Sequence, residues 1–175
     1  MIFPMGALET ELLKRIRQEI GQTFSYQTEL IPLPKDLSFA LDPDRNQYHS
    51  TLILEKLASL APRHAIKALG IVEVDLFIPI LTHVYGEAQV GGRACIVSTY
   101  RLREGLSPIT EIYCNRVAKE AFHELGHAFN LRHCKDQTCI MHYCRTVKDV
   151  DRKSDRMCRY CKVLLQDEIK RLGGV

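Results

Sequence analysis

The run His123-Glu124-Leu125-Gly126-His127-Ala128-Phe129-Asn130-Leu131-Arg132-His133 places three imidazoles and one carboxylate at spacings that suit a metal ion. His123 and His127 are four residues apart, so on a helix they project from one face, one turn apart, and can reach a common ion. Glu124 then stands close enough to take a proton from a water on that ion. His133 follows His127 by six residues and cannot share the helix face, so the chain must bend sharply between them. Three protein ligands with one open position is the arrangement of a catalytic zinc site, whereas closed structural sites use four.

A second constellation follows directly. The chain has seven cysteines, and five of them fall between residues 134 and 161. Cys134, Cys139, Cys158 and Cys161 form C-x4-C followed by C-x2-C, a spacing that suits a four-thiolate structural zinc site. On spacing alone Cys144 competes for one of the four places. Cys95 and Cys114 read as core residues. Cys134 adjoins His133, so an ion on the cysteines would pin the loop that delivers the third histidine and replace core that the C-terminal part lacks. Two zinc ions per chain are therefore expected, one catalytic and one structural.

Composition sets the outer bounds. With 175 residues, 46% hydrophobic and 26% charged, the chain should form one globular domain, residues 1–175, large enough to bury a proper core. No apolar run reaches membrane-spanning length, so no membrane partner is expected. The start, Met1 to Gly6, lacks both a basic leader and a long apolar segment, which points to a cytoplasmic location and favours thiolate–metal ligation over disulfides. The net charge of +3 is too small to argue for nucleic acid. Arg145, Lys148, Arg152, Lys153, Arg156, Arg159 and Lys162 crowd one stretch and read as a solvated rim around a metal site. A monomer is expected.

The elements that must hold these residues follow from the apolar pattern. Residues 1–5 read as a strand, and 7–20 as a helix with Leu8, Leu12, Leu13, Ile16 and Ile20 on one face. Residues 24–32 look extended, ended by Pro32 and Pro34, and a polar loop runs from Lys35 to about Tyr48. Ser50 is placed to cap a helix to Ala61, stopped by Pro62. Gly70 to Phe77 reads as a buried strand and its exit. Residues 84–90 and 93–102 form a hairpin around Gly91-Gly92. Val117, Ala121, Leu125 and Ala128 mark the buried stripe of the helix that carries the first two histidines, and Ser154 is placed to cap a last helix to Leu172, with Gly173 past its end. The order β-α-β-α-β-β-β-α-loop-α predicts an α+β fold. A mixed, twisted sheet is backed by helices and the histidine-bearing helix lies on it. An N-terminal subdomain covers about 1–130, and a small, irregular or helical C-terminal subdomain covers about 131–175, below the cleft. Glu111 and Glu120 read as solvated helix charges, and His142 as a surface residue or a neighbour of the site. His49, His64 and His83 have no evident partners.

His-Glu-x-x-His on a helix is a zinc-peptidase signature, and a third histidine six residues on narrows it to the metzincin pattern. Together with Cys134, Cys139-Ile140-Met141 and Cys158-Arg159-Tyr160-Cys161, residues 123–161 resemble the archaemetzincins, a family of metzincin-type zinc metallopeptidases. The resemblance implies a zincin-like fold, catalytic zinc on His123, His127 and His133, and Glu124 as general base. It also implies Met141 as the Met-turn residue beneath the metal and structural zinc on Cys134, Cys139, Cys158 and Cys161. The substrate would be a peptide or protein, bound extended along an edge strand at Tyr85–Val90. Asn130 stands where metzincins usually carry glycine, at a left-handed position that asparagine tolerates at a cost of roughly 1 kcal/mol. Tyr143 resembles a tyrosine that adds a zinc ligand in some other metzincins, a packed tyrosine being the alternative. Two further classes stay open: a zinc-stabilised interaction module, and an inactive peptidase relative that keeps only the structural zinc. Glu124 argues against both, since neither needs a carboxylate beside the water.

Overall fold

Three short strands, buried at every residue, send alternate side chains into two hydrophobic layers. The computed structural model describes residues 1–33, 36–106 and 110–173. Pro34 and Lys35, at the expected junction of extended segment and loop, lie outside these. In chain order the elements are β1 (Ile2–Met5), α1 (Thr10–Phe24), β2 (Leu41–Asp42), β3 (Gln47–His49), α2 (Ser50–Leu60), β4 (Ala68–Val72) and β5 (Leu76–Phe77). They continue with β6 (Gly86–Ala88), β7 (Ala94–Ser98), α3 (Glu111–Ala128), α4 (Val147–Arg152) and α5 (Arg159–Arg171). The main sheet has the order β1-β4-β7-β6; β1, β4 and β7 are parallel, and β6 pairs antiparallel with β7 at the edge. A smaller sheet, β2-β3-β5, lies beside it.

Successive strand residues point to opposite faces. Ile2, Leu69, Ile71, Cys95 and Val97 join the core under α1 and α3, while Phe3, Met5, Val72, Ala94 and Ile96 join the core under α2. The expected stripe Val117, Ala121, Leu125 and Ala128 is buried in the first layer. Val147, Val150, Met157, Cys161 and Leu165 belong to that same layer, so the segment after residue 130 shares the core of α3. The fold is the mixed sheet backed by helices that the pattern predicts.

Several boundaries differ from the pattern, each for a local reason. The first helix spans Thr10–Phe24 rather than 7–20, because its stripe continues to Phe24, which stacks on Phe129 at 5.1 Å and Phe122 at 5.8 Å. The segment that follows is not a strand; it runs beside β1 through Ile31 N–H to Ile2 O (2.9 Å) and Leu33 N–H to Pro4 O (3.0 Å). The expected polar loop contains the β2–β3 hairpin, whose turn is made by Asp42 Oδ1 accepting from the amides of Asp44 and Arg45. The strands around Gly91-Gly92 are shorter than expected.

Ser50 does not cap α2: it is fully buried, donates to Phe77 O at 3.1 Å and bonds Glu87. Glu87 of β6 instead sits at the first turn of α2 and accepts from Thr51 Oγ1 at 2.9 Å. The last helix begins at Arg159, five residues after Ser154. Before it comes α4, which the sequence reading missed and which opens on a reciprocal cap between Thr146 and Asp149.

One buried cation ties the sheet to the C-terminus of α3. Lys67 is 9% exposed, and its Nζ donates to Gly92 O and Ala128 O, each at 2.7 Å, with Nζ 4.9 Å from the Phe129 ring centroid. A cation at a helix C-terminus also favours the helix dipole. Lys67→Met keeps most of the stem and removes the donors, leaving two carbonyls without a partner. Urea unfolding should show a loss of about 2 kcal/mol; an unchanged midpoint would mean that water replaces the ammonium without cost.

Candidate metal centre and cleft

Side chain and backbone cooperate at the first two histidines. Thr110 starts α3 by accepting from Tyr113 N–H at 3.2 Å. Further along, His123 Nδ1 bonds Ile140 O at 2.9 Å and His127 Nδ1 bonds Leu131 O at 2.8 Å. A carbonyl can only accept, so each Nδ1 carries the proton and each Nε2 presents a lone pair. The two Nε2 atoms are 3.1 Å apart. Two lone pairs at that distance repel unless a cation lies between them, and this fits a metal. One ring nitrogen from each of His123, His127 and His133 falls within 4.8 Å of the others.

Burial lowers the pKa of all three rings, His123 most strongly and His133 to about 4, which keeps them neutral and able to ligate. Glu124 lies buried beside them; burial first, then the charge of Glu120, push its carboxyl well above the usual range.

The bend to His133 forms as the spacing requires. Asn130 has φ 67°, with Asn130 N–H bonding His127 O at 2.8 Å and Leu131 N–H bonding Gly126 O at 2.9 Å. This is a Schellman pattern with asparagine in the place of glycine. The Asn130 amide donates to Glu168 Oε1 of α5 at 3.1 Å. His133 then stands 4.7 Å from His127 and 5.3 Å from His123, ring to ring, and Tyr143 stands 5.1 Å from His133. Met141 is fully buried against α3: a Cβ on Gly126 would come within 2.9 Å of its Cε and nearer still to its sulfur.

Cys134, Cys139, Cys158 and Cys161 converge with their sulfurs within 4.8 Å of one another, and Cys144 is not among them. Cys134 and Cys158 are 3.8 Å apart at sulfur, far beyond a disulfide bond. Zinc–sulfur bonds of 2.3 Å in a tetrahedron place sulfurs about 3.8 Å apart, so the cluster fits zinc. Backbone amides support it: Cys158 N–H donates to Cys139 Sγ at 3.2 Å and Cys161 N–H to Cys158 Sγ at 3.5 Å, the latter lowering the Cys158 pKa. The same bond makes Cys158 the N-cap of α5, which is why Ser154 does not cap it. Cys144 instead borders the histidine cleft, its thiol pushed up to about 11 by burial.

That cleft, of about 460 Å³, runs between Leu81–Gly86 on one wall and Tyr143–Arg145 on the other, with the histidines and Glu124 as its floor. His83, without an evident partner in sequence, lines it too. Two residues of the site escaped the sequence reading. A Cβ on Gly86 would lie 2.6 Å from Glu124 Cγ and 2.5 Å from Ile96 O, so glycine is what lets Glu124 lie under the edge strand. Its signal was available, since a glycine within a strand pattern marks close approach. Glu120, read as a solvated charge, is 3% exposed and lies 2.6 Å from the fully buried Lys153. Lys153 is thus an exception in a basic stretch whose Arg152 and Arg156 are indeed solvated.

Residues 41–167 match the model of Peptidase family M54. The chain is 36% identical over 169 residues to an archaemetzincin of Methanocaldococcus jannaschii, covering 95% of this chain and 92% of that one. It is 42% identical over 129 residues to an archaemetzincin of Methanopyrus kandleri, covering 74% and 71%. The crystal structure of archaemetzincin from Methanopyrus kandleri superposes with a TM-score of 0.87 at 32% identity, covering 97% of this chain and 94% of that one. A zinc-dependent peptidase from Methanocorpusculum labreanum superposes with a TM-score of 0.85 at 27% identity, covering 94% and 98%.

The clearance at Gly86 is testable. In Gly86→Ala the added methyl must displace Glu124 or the edge strand, while the histidines keep their own backbone bonds. Peptide hydrolysis should fall by about 100-fold, the penalty expected for a misplacement near 1 Å, with zinc content unchanged by elemental analysis. Full activity in this variant would show that Glu124 needs no such clearance.

Proposed function

The chain belongs to peptidase family M54 and is a zinc metallopeptidase, and from that premise we propose that Glu124 is its general base and that His123, His127 and His133 hold the catalytic zinc. The observation that carries this is the convergence of two lone-pair nitrogens at 3.1 Å with a buried carboxyl beside them. Zinc held by these three histidines would supply a Lewis acid and lower the pKa of a bound water towards ~7. Glu124 is placed to accept a proton from the water that attacks the peptide carbonyl. The same carboxyl would then hand that proton to the leaving amine. The backbone bonds at His123 and His127 fix ring orientation. Met141 packs under the helix as the Met-turn residue. Tyr143 stands beside His133 on the cleft wall, and its exposed ring leaves it available as a further contact to zinc or substrate.

Peptides are the substrate class. An extended chain would add to the outer edge of β6, the last strand of its sheet, and so pass over Glu124 and the histidines. A second zinc ion on Cys134, Cys139, Cys158 and Cys161 plays the structural role. The site is complete within one chain, which supports a single peptidase domain acting as a monomer, with residues after about 130 as its C-terminal subdomain. No described helix is long and apolar enough to cross a membrane, and the free thiols suit the reducing cytoplasm.

Glu124→Ala should keep two zinc ions per chain and lose peptide cleavage by roughly 10²–10⁴-fold; cleavage at the wild-type rate would remove Glu124 from the mechanism. The pair His123→Ala and His127→Ala should retain one zinc ion, measured by mass spectrometry under native conditions. Cys158→Ser should lower the unfolding midpoint and weaken zinc at the histidine site. Unchanged affinity there would separate the two sites.

A further inference from the structure

Glu120 is a buried acid that the proposed mechanism does not use. It sits on α3 four residues before Glu124, hence on the same face and about 6 Å farther along the helix axis. It lines the histidine cleft although only 3% of it is exposed. Its Oε1 is 2.6 Å from Nζ of Lys153, and both atoms are shut off from solvent. Tyr85, Cys144 and Arg145 line the cleft with it.

Stability does not account for this pair. Burying each ion costs several kcal/mol, and apolar residues of similar volume often serve as well or better. What the pair does is place a carboxylate, anchored through one oxygen by Lys153, in the wall of the cleft one helical turn from Glu124. Its other oxygen, Oε2, takes no part in that ion pair and is not among the solvent-excluded, unpartnered atoms of the described residues, as Oε1 is. An apolar substrate side chain packed there would strip water from Oε2 and return nothing. A side chain with N–H donors would satisfy it.

We propose that Glu120, held in place by Lys153, is a specificity residue that selects a substrate side chain bearing N–H donors beside the scissile bond. The inference rests on the peptidase reading of the same cleft. The donor is an amide or a cation. Both fit Oε2, and Arg145 on the wall disfavours a second positive charge, so an amide should lead.

The test uses the zinc-loaded full chain and matched peptides carrying glutamine, lysine or norleucine, in turn, at each position flanking the cleaved bond. Wild type should prefer glutamine or lysine over norleucine by about 10-fold or more in kcat/KM, in line with sites that reject analogues lacking a donor. The double variant Glu120→Leu/Lys153→Met removes both charges together and avoids stranding either one. It should favour norleucine. Fluorescence anisotropy with Glu124→Ala, alone and combined with the double variant, should rank the same peptides in the same order without turnover. No cleavage of any peptide, with that ranking intact, would count against the hydrolytic reading and leave the subsite standing. Cleavage or binding without donor preference, a preference that the double variant keeps, or no binding of any peptide would overturn it.

Discussion

A helix cannot carry His133 to the other two histidines, so the site depends on how α3 is made to stop. Leu131 does two jobs at that point: its N–H closes the helix end on Gly126, and its carbonyl orients His127. The cap and the ligand geometry are thus one construction. Around it, Lys67, just before β4, takes the Ala128 carbonyl and Glu168 from α5 takes the Asn130 amide. Gly91 lies so close beneath that a Cβ there would meet Asn130 Oδ1 at 3.2 Å. The left-handed conformation costs asparagine roughly 1 kcal/mol more than glycine, and a hydrogen bond of about 0.5–1.5 kcal/mol from its own side chain offsets that. The departure from glycine is therefore accommodated locally, with α5 supplying the compensation.

The active helix is also squeezed from two sides. Gly126 gives Met141 its place, and Gly86 gives Glu124 its place. A glycine inside a helix costs about 1 kcal/mol against alanine, so α3 is weakened at the turn where His123 and His127 lie. Packing supplies what propensity lacks: the sheet, α1 and the segment after residue 130 all bury against α3 in one layer. Close approach, not helix strength, is what this sequence secures at its centre.

The candidate metal ligands were legible because coordination chemistry ties residue type to spacing. His123, His127 and His133 converge, and so do four of the five clustered cysteines. Which four needed the fold, since Cys144 matches on spacing but faces the other cleft. Local boundaries were harder. Ser154 has the better capping propensity, yet a cysteine sulfur drawn into the thiol cluster caps α5 instead. The Thr146–Asp149 box was present in the sequence, but six residues of α4 offer too little periodicity to prompt a helix. Glu120 was misread because its partner lies 33 residues on, within a basic stretch that is otherwise solvated. The α+β architecture and the place of α3 on the sheet followed from long apolar stripes, the most durable signal a sequence carries.

The segment from Leu131 to Cys158 carries the third histidine, Met141, the cleft wall at Tyr143–Arg145 and Lys153, yet its only regular element is α4. It is anchored in two ways. Arg116 pairs bidentately with Asp151 at 2.8 and 2.7 Å, and Lys119 donates to Val150 O at 3.0 Å, so α3 grips the end of α4. The cysteine cluster closes the segment on both sides. Arg116 is buried and Asp151 partly exposed, so breaking this pair costs at most about 3–5 kcal/mol, whereas structural zinc in small peptides binds with apparent free energies of about 10–16 kcal/mol. In the proposed two-zinc reading, the structural ion therefore dominates the order of this segment. Its loss would release a whole wall of the cleft together with His133, rather than a single ligand. The two metal sites are then linked by chain connectivity, with the grip on α4 deciding how much of the wall stays in place.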